Sequence, residues 1–292
     1  MNSRFFSYVN KIENGSILFE KLINLSLLED LGRSNSCLTT DHLSGKDTLV
    51  KGNLLIKSPG IICGIDIFDR IFSNSNDLFK SEYFYQDGDR ISKTPCLVGR
   101  IETTAQNFLK HERLALNLIQ HLSSIATQTK KMVDYVSGYD IDILDTRKTI
   151  PGLRLFEKYA VYTGGGKNHR MGLYDKVLIK DNHIKLANGI ESALDNFGDF
   201  AQVQIEIASL AELDKLIKLN SPNVKAVLLD NMSPIDIIKA VHLCQGKFYI
   251  EVSGGINSKN LKDYLIFGVN AISMGSLTHS IDCLDYSLKL EL

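Results

Sequence analysis

Cationic side chains are concentrated in one stretch of this sequence. Residues 145–185 contain nine Lys and Arg against four Asp and Glu, although the formal net charge of the chain is only -1. So many cations converging on one place would repel each other unless an anion were bound between them. The stretch therefore predicts a binding site for a substrate that carries several negative charges.

Two motifs hold the cations that are best suited to anion binding. The first, DTRKT, places Arg147 beside Lys148, and the planar guanidinium of an arginine fits a carboxylate or a phosphate. The second, TGGGKNHRMG at 163–172, sets three glycines before His169 and Arg170. Consecutive glycines are conformationally costly, so they predict a backbone that turns tightly or closely approaches another group. We expect that group to be anionic.

Lys180 follows the apolar run VLI and has two interpretations. It can add to the cationic cluster, or a neutral amine at this position can form a Schiff base with a carbonyl substrate, which would make the protein an aldolase. The surrounding cations and the carboxylates that follow suit a multiply charged substrate equally well. The residues alone leave both interpretations open.

Glu206 and Asp230 stand at the ends of two successive apolar runs, QVQI and AVLL. If these runs are adjacent strands, the two carboxylates point into the same mouth. They can then bind a divalent metal or ribose hydroxyls, or serve as acid and base. Salt bridges to nearby cations are the alternative, but beside a phosphate site we favour metal or hydroxyl ligation.

Two glycine motifs predict a phosphate site. SGGI contains Ser253, Gly254 and Gly255, and MGSL contains Gly275. Backbone N–H groups and a helix N-terminus hold phosphate in the last two βα loops of many α/β barrels, and glycine permits the close approach. Each motif alone reads as an ordinary tight turn. Their placement at consecutive strand ends favours the phosphate site.

A rhythm of repeated apolar runs begins near residue 140 and predicts the elements that position these groups. Apolar runs of strand length each end in a polar residue, and they read DIDIL, KVLI, QVQI, AVLL, FYIEV and AISM. From Lys180 onward the polar ends recur after 26, 24, 23 and 22 residues, the length of one strand and one helix. This alternation predicts parallel strands with right-handed crossovers, and hence an α/β barrel whose reactive groups sit at the C-terminal strand ends. Six strands are clear.

The preceding part of the chain lacks this rhythm and predicts a separate domain. It contains a helical stretch at 17–32, then short alternating runs around the turn signal QDGDR. Residues 112–136 have apolar side chains at helical spacing and would form a helix that bridges the two domains. We expect domains at 1–112 and 113–280, with the alternating tail 281–292 returning as a strand to the first.

Composition excludes several classes of protein. The chain has 292 residues, of which 44% are hydrophobic and 23% charged, as in an ordinary soluble globular protein. Its five cysteines form no CxxC pair, so they predict neither a disulfide framework nor a zinc site, and they favour a reducing, cytoplasmic environment. Neither a signal peptide nor an apolar run of membrane-spanning length is expected. RNA binding through the basic stretch is an alternative, but the near-neutral charge and the lack of interleaved aromatic residues disfavour it.

Longer stretches of the chain resemble the quinolinate phosphoribosyltransferases, also called nicotinate-nucleotide pyrophosphorylases (carboxylating). The matching stretches read HERLALNLIQHLSSIAT, DTRKTIPGLRLFEKYAV, GGGKNHRMGLYDKVLIKDNHI, VSGGI and MGSLTH. The resemblance implies an enzyme of NAD biosynthesis that converts quinolinate and phosphoribosyl pyrophosphate to nicotinate mononucleotide, pyrophosphate and carbon dioxide with magnesium. It implies an N-terminal α/β sandwich domain, joined by the C-terminal tail, and an open, seven-stranded α/β barrel of TIM-like type. A relative from molybdate-uptake gene clusters shares this fold, but the intact NHR and IKDNH motifs favour the quinolinate enzyme.

The resemblance also implies roles for individual residues. Four match the positions that grip the two quinolinate carboxylates: Arg147, His169, Arg170 and Lys180. Six match the region that binds ribose phosphate and pyrophosphate: Lys148, Ser253, Gly254, Gly255, Gly275 and His279. Glu206 and Asp230 match the ribose and metal ligands, and with Lys148 and Lys180 they are the expected catalytic residues. Arg113 matches a residue that reaches the neighbouring subunit's site, which implies a homodimer.

Two positions depart from the family pattern. Cys37, in the loop RSNSCLTT, stands where an aspartate is usual, and Ser124 stands where a glycine is common. The first departure concerns a local loop and the second a helix interior. Neither touches the cationic cluster.

Overall fold

The chain divides into two units in the computed structural model, which describes residues 3–43, 45–73, 78–195, 197 and 202–291. The first unit comprises Met1–Lys130, Ile150–Gly165 and Ser280–Leu292, and the second comprises Lys131–Thr149 and Gly166–His279. Compared with the boundaries expected from sequence, the first unit additionally takes residues 113–130 and the segment 150–165. The domain boundary near residue 112 stays a prediction.

Eleven α-helices and one 3-10 helix lie in the described part of the chain. In order they are α1 (Arg4–Val9), α2 (Gly15–Leu31), α3 (Leu38–Asp41), α4 (Ile65–Phe72), α5 (Ala105–Tyr135), α6 (Arg154–Thr163), α7 (Asp181–Leu186), α8 (Ile190–Asp195), α9 (Leu210–Leu219), α10 (Pro234–Cys244), the 3-10 turn Leu261–Tyr264, and α11 (Ser276–His279). Within the described residues, no helix is both long enough and apolar enough to cross a membrane.

Twelve strands accompany these helices in the described ranges. In order they are β1 (Leu49–Ile56), β2 (Gly60–Ile61), β3 (Phe79–Tyr83), β4 (Arg90–Ile91), β5 (Cys96–Thr104), β6 (Asp142–Leu144), β7 (Leu178–Ile179), β8 (Val203–Ile207), β9 (Val224–Asp230), β10 (Tyr249–Ser253), β11 (Ala271–Ser273) and β12 (Tyr286–Glu291). The two units use them in different ways.

The first unit contains an antiparallel sheet in the order β12-β1-β5-β3. Strand β1 buries every second side chain, among them Leu54 and Ile56, as its alternating sequence predicts. The C-terminal tail pairs with β1, so that Tyr286 lies opposite Ile56 and Leu288 opposite Leu54. The C-terminal tail therefore forms a strand of this sheet.

Aromatic rings fill the helical side of the first unit. Phe5, Phe19, Phe156 and Tyr159 are fully or almost fully buried, and the Phe5 ring lies within 6 Å of the other three ring centroids. Large rings bury much apolar area and prefer such tilted or edge contacts. Tyr159 is thus a packing residue, while the Tyr162 ring, also on α6, is half-exposed.

The second unit is an α/β structure built on a parallel sheet of six strands in the order β6-β11-β10-β9-β8-β7. These strands coincide with the six apolar runs of the sequence, so that prediction is confirmed. Lys167 forms a single parallel bridge with Leu144 on the outer edge of β6. Among the described residues the sheet has six strands rather than the seven that the resemblance implies, and β6 does not pair with β7.

Register places the polar strand ends on one face of this sheet. Glu206 lies opposite Leu228, which in turn lies opposite Glu251, and Asp230 lies opposite Ser253. Directly opposed residues of parallel strands share a face, as do residues two apart along a strand. The five side chains therefore point to the same side of the sheet, near the C-terminal ends of the strands.

Candidate active site

Asp145 anchors the cationic loop of the second unit. Its carboxylate is fully buried directly after β6, and it accepts hydrogen bonds from the backbone N–H of His169 at 2.9 Å and from Nδ2 of Asn168 at 2.6 Å. Its own N–H donates to the carbonyl of Lys167 at 3.2 Å. The loop that carries His169 and Arg170 is thereby fixed to the end of a strand.

Contacts and backbone geometry within the first unit explain the glycines that precede this loop. A Cβ on Gly164 would lie 2.5 Å from the carbonyl oxygen of Ala126 on α5, and Gly165 has a φ of +89°, which L-residues rarely adopt. The tight turn expected here is confirmed. The group that Gly164 approaches closely is a helix backbone, and the expectation of an anion beside this motif stays a prediction.

Arg170 is a nearly buried cation whose pKa is influenced by a second arginine, Arg147. The residue is only 8% exposed, and its Nη1 donates to the carbonyl of Lys176 at 3.2 Å. Burial and then the charge of Arg147 lower the pKa of Arg170, while Asp175 and Glu206 act in the opposite direction. Since Arg147 is exposed, the two guanidinium groups provide neighbouring donors at the mouth of the unit.

The His169 side chain is turned toward the protein. It is 7% exposed, its Nδ1 accepts the backbone N–H of Arg170 at 2.7 Å, and its Nε2 lies 3.4 Å from Oε1 of Glu251. A ring nitrogen that accepts a backbone N–H carries no proton, so this geometry is that of the neutral Nε2–H tautomer. The implied role of His169 in gripping a carboxylate stays a prediction.

Lys180 and Glu206 form a close ion pair. Nζ of Lys180 donates to Oε2 of Glu206 at 2.6 Å across the ends of β7 and β8. A carboxylate neighbour stabilises the ammonium form, whereas a Schiff base requires the neutral amine. The pair therefore favours the anion-binding interpretation of Lys180 over the aldolase interpretation.

Glu206 and Asp230 offer carboxylate oxygens, which are the ligands that Mg²⁺ takes in proteins. One oxygen of Glu206 meets Lys180, one oxygen of Asp230 accepts Nδ2 of Asn231 at 2.7 Å, and a second oxygen remains on each carboxylate. Mg²⁺ is usually held by one or two carboxylates together with substrate phosphates. Within the described ranges no cluster of three or more His, Cys, Asp or Glu side chains could hold a metal on its own.

Two glycines shape the loop after β10. Gly254 has a φ of +108° and Gly255 one of +62°. A Cβ on Gly254 would collide with the side chain and backbone N of Asn231, whereas one on Gly255 would meet nothing within 4 Å. Asn231 also donates its N–H to the carbonyl of Ser253 at 2.9 Å. The loops after β9 and β10 thus pack directly against each other.

Gly275 brings together the side chains of Lys148 and His279. A Cβ at this glycine would lie 2.9 Å from Cδ of Lys148 and 3.1 Å from Nε2 of His279. Thr278 donates through Oγ1 to the carbonyl of Lys148 at 2.7 Å, which ties the loop after β6 to α11. Three residues predicted to bind ribose phosphate or pyrophosphate therefore meet at one point.

Comparison with known proteins settles the family. The chain matches the family model described as "Quinolinate phosphoribosyl transferase, C-terminal domain" over residues 125–289 and the corresponding N-terminal domain model over 38–123. The chain belongs to the quinolinate phosphoribosyltransferase family. The resemblance, the α/β fold class and the enzyme class expected from the sequence are therefore confirmed.

Individual members of the family cover nearly the whole chain. The chain is 39% identical to the chloroplastic nicotinate-nucleotide pyrophosphorylase (carboxylating) of Oryza sativa subsp. japonica, a match that covers 92% of this chain and 77% of that protein. It is 37% identical to the probable enzyme of Bacillus subtilis (strain 168), covering 94% and 93%. The solved structure of the nicotinate-nucleotide pyrophosphorylase from Francisella tularensis has a TM-score of 0.87 at 34% identity, covering 97% of this chain and 99% of that one. That from Ehrlichia chaffeensis also has a TM-score of 0.87, at 37% identity, covering 94% and 98%.

The two departures from the family pattern have local explanations in the first unit. Cys37 precedes α3, its N–H donates to the carboxylate of Asp41 at 3.0 Å, and its thiol lies 3.1 Å from Oγ1 of Thr40. The carboxylate that this N–H meets belongs to Asp41, the last residue of α3. Ser124 donates to the carbonyl of Gln120 and accepts the N–H of Leu284 at 2.8 Å, so it helps to fix the C-terminal tail.

Arg113 lies on α5 in the first unit with an exposed side chain. An exposed position is what a residue donated to another subunit requires. Its part in a neighbouring site stays a prediction.

Several residues that organise the site were not singled out in the sequence. They are Gln204, Asn231, Glu251 and Thr278. Asp145 was noted only as the polar residue that ends the run DIDIL. The signal for two of the four was present, because Gln204 and Glu251 interrupt the apolar runs QVQI and FYIEV at positions where a buried strand is usually apolar. The other two lie in a loop and a short helix, where a polar residue is ordinary.

Proposed function

We propose that this chain transfers the phosphoribosyl group of phosphoribosyl pyrophosphate to quinolinate and releases carbon dioxide, giving nicotinate mononucleotide and pyrophosphate for NAD biosynthesis. The observation that carries the proposal is that the nearly buried Arg170 and the exposed Arg147 both lie in the cationic loops of the second unit, where burial and then the charge of Arg147 lower the pKa of Arg170. A dianionic pyridine would neutralise both guanidinium groups.

Cations that follow the ends of separate strands bind quinolinate. Arg147 and Arg170 offer charge-assisted hydrogen bonds to its carboxylates, and Lys180 adds a point charge. Lys180 is paired with Glu206 before substrates bind. We infer that it exchanges this partner for a substrate carboxylate, which leaves Glu206 available to the sugar.

Phosphoribosyl pyrophosphate fits the glycine loops on the other side of the site. The backbone of Ser253, Gly254 and Gly255 and the side chains of Lys148 and His279 would hold its phosphate groups. Glu206 and Asp230 would orient the ribose hydroxyls and hold Mg²⁺. When bound there, the metal supplies positive charge to the departing pyrophosphate.

The reaction needs orientation and electrostatic stabilisation rather than a covalent nucleophile. The quinolinate nitrogen attacks the ribose carbon that bears pyrophosphate, and the carbon–oxygen bond to pyrophosphate breaks through a transition state with oxocarbenium character. Glu206 and Asp230 would stabilise that developing positive charge. The positive charge of the pyridinium nitrogen stabilises the electron pair left on the adjacent ring carbon when its carboxylate leaves as carbon dioxide, and that carbon then takes up a proton from water to give nicotinate mononucleotide.

The decisive experiment measures carbon dioxide release. Purified protein supplied with quinolinate, phosphoribosyl pyrophosphate and Mg²⁺ should release carbon dioxide and form nicotinate mononucleotide in equal amounts. No product from folded protein would refute the proposal. A borohydride-trapped adduct at Lys180 with a carbonyl substrate would support an aldolase instead.

Arginine variants test the binding step. Arg147→Ala and Arg170→Ala should each weaken quinolinate binding by about 2 kcal/mol or more, as expected for loss of a charge-assisted contact. Lys167→Ala is a matched control, because this cation lies in the same motif but pairs with Asp142 at 2.7 Å on an exposed surface. Calorimetric titrations that show unchanged binding in both arginine variants would contradict the assignment.

The proposed active form is a cytoplasmic homodimer in which Arg113 reaches the partner's site. Mixing inactive Arg113→Ala and Lys148→Ala proteins after dissociation should restore part of the activity, because some mixed dimers contain one intact site. Sedimentation velocity should give twice the mass of the chain. A fully active monomer would argue against the shared site.

A further inference from the structure

Glu251 is a buried carboxylate to which the family resemblance assigns no role. It lies in β10, is 1% exposed, and points to the same face of the sheet as Glu206. Its Oε2 accepts Nε2 of Gln204 at 2.7 Å, and its Oε1 lies 3.4 Å from Nε2 of His169. A charge is seldom buried to this extent unless it is paired.

The surroundings of Glu251 keep it ionised. Burial raises the pKa of a carboxyl group, but hydrogen bonds from His169, Gln204 and Ser273 lower it, and the net pKa of Glu251 is lowered. A negative charge therefore lies beneath the cationic mouth of the second unit. Gln204 occupies Oε2 of Glu251, and Oε1 is the oxygen that lies 3.4 Å from Nε2 of the histidine ring.

The ring of His169 connects this carboxylate to the backbone of the substrate-binding loop. With Nε2 facing an anion and Nδ1 accepting the N–H of Arg170, only the Nε2–H tautomer satisfies both sides of the ring. The opposite tautomer would place a ring N–H against the backbone N–H of Arg170. Asp145 holds the N–H of His169 itself, so the main chain is fixed on both sides of the histidine.

We propose that Glu251 is a positioning residue for the substrate dianion: it holds His169 in the Nε2–H tautomer, and His169 in turn fixes the main chain from which the Arg170 guanidinium reaches the substrate. The proposal rests on the proposed function for its account of what Arg170 binds. It gives His169 a mainly internal role. Carboxylate groups commonly set the tautomer and orientation of a histidine in this way.

Nitrogen-15 NMR of the imidazole in the ligand-free protein tests the first half of the proposal. The His169 signals, identified by their loss in His169→Asn, should show a protonated Nε2 and an unprotonated Nδ1 at neutral pH. In Glu251→Met the carboxylate is replaced by an apolar side chain of similar length, and a mixture of tautomers is expected. In Glu251→Gln the amide oxygen can still accept the Nε2–H, so the wild-type pattern should be retained.

Steady-state kinetics test the second half. The KM for quinolinate should rise about tenfold in Glu251→Met, while the KM for phosphoribosyl pyrophosphate stays within about twofold. Glu251→Gln should remain within about threefold of wild type for both substrates. Glu212→Met makes the same chemical change at a carboxylate on α9 that accepts only the N–H of Ala208 in the described structure, and it should leave the spectrum and both KM values unchanged.

Failure of this inference can be told apart from failure of the proposed function. Wild-type protein that binds neither substrate would refute the function, whereas the tautomer measurement needs no substrate. A wild-type His169 with its proton on Nδ1, or with two protons, would overturn the inference even if Glu251→Met fails to fold. A folded and active Glu251→Met protein with an unchanged KM for quinolinate would overturn it as well.

Discussion

Two buried carboxylates, one in each unit, have pKa values that are shifted in opposite directions. Asp87 of the first unit accepts the backbone N–H groups of Gly64 at 2.9 Å and Ile65 at 3.0 Å and the hydroxyl of Tyr159 at 2.6 Å, and burial raises its pKa despite these donors. For Glu251 of the second unit the balance is reversed, and its hydrogen bonds lower its pKa in spite of burial.

The difference lies in what each carboxylate holds in place. The donors to Asp87 are a tyrosine hydroxyl and the backbone at the start of α4, so this residue joins secondary-structure elements of the first unit. Glu251 faces an ionisable ring in the loop that carries Arg170. A buried carboxylate alone is therefore weak support for an active site. The identity of its partners distinguishes a residue that stabilises the fold from one that organises a binding site.

Removal of Asp87 should have the largest effect on stability. Asp87→Ala leaves two buried backbone donors and a tyrosine hydroxyl without this acceptor, so the free energy of unfolding should fall by about 3 kcal/mol. Urea denaturation provides the measurement. The matched control is Asp89→Ala in the same turn, where a half-buried carboxylate accepts only the N–H of Gln86 at 2.9 Å in the described structure, and the expected loss is below about 1 kcal/mol. Equal losses in the two variants would break the comparison.

The second unit contains several carboxylates that are not proposed ligands. Among these, replacement of Asp145 should have the largest effect on catalysis. Without its acceptor the loop of His169 and Arg170 is displaced, and kcat/KM for quinolinate should fall about 100-fold. Asp142→Ala is the control, since its carboxylate holds the exposed Nζ of Lys167, and less than a twofold change is expected. An Asp145→Ala enzyme with normal kcat/KM would show that this anchor does not serve the substrate.

Alanine substitutions at Gly254 and Gly255 should weaken phosphoribosyl pyrophosphate binding by different amounts. Gly254→Ala introduces a left-handed residue and a collision with Asn231, whereas Gly255→Ala introduces only the left-handed residue. We expect phosphoribosyl pyrophosphate binding to weaken by about 2 kcal/mol in the first variant and by about 1 kcal/mol in the second. Binding measured by calorimetry that ranks them the other way would contradict the packing of the loops after β9 and β10.

The smallest expected effect is that the contributions of Asp87 and Glu251 to stability depend on pH in opposite directions. Because the pKa of Asp87 is raised above its ordinary 3.8 on folding, its contribution to stability falls as the pH rises from that value through the folded pKa. Because the pKa of Glu251 is lowered below its ordinary 4.5, its contribution is present above that value and is lost as the pH falls through the folded pKa. Stability differences between wild type and Asp87→Asn, and between wild type and Glu251→Gln, should therefore change with pH in opposite directions. Slopes of the same sign would remove the distinction between the two carboxylates.

Much of the second unit was predictable because local patterns reflect local physics. Each apolar run became a strand of the parallel sheet, and Ser233 with Pro234 begins α10, with Oγ of Ser233 accepting the N–H of Asp236. Periodicity and capping depend on residues close together in the sequence. The position of the polar residues at the strand ends follows from the same pattern.

The partners of those polar residues were not predictable in this way. Lys180 and His169 were both read as cations for the substrate, yet one pairs with Glu206 and the other turns toward Glu251. The glycine at 164 was read as an approach to an anion, yet it lies against the carbonyl of Ala126. Each of these contacts joins residues that are distant in the sequence.

The sequence by itself determined the family, the alternation of strands and helices, and the edge of the sheet at which the reactive groups lie, because these follow from residue type and spacing. Only the tertiary structure decided which carboxylate meets which cation, because that depends on strand order and register. Glu251 reaches His169 by this route, since β10 lies within the sheet and the histidine loop is fixed to the end of β6. The different roles of the buried carboxylates Asp87 and Glu251 are thus a property of the folded chain.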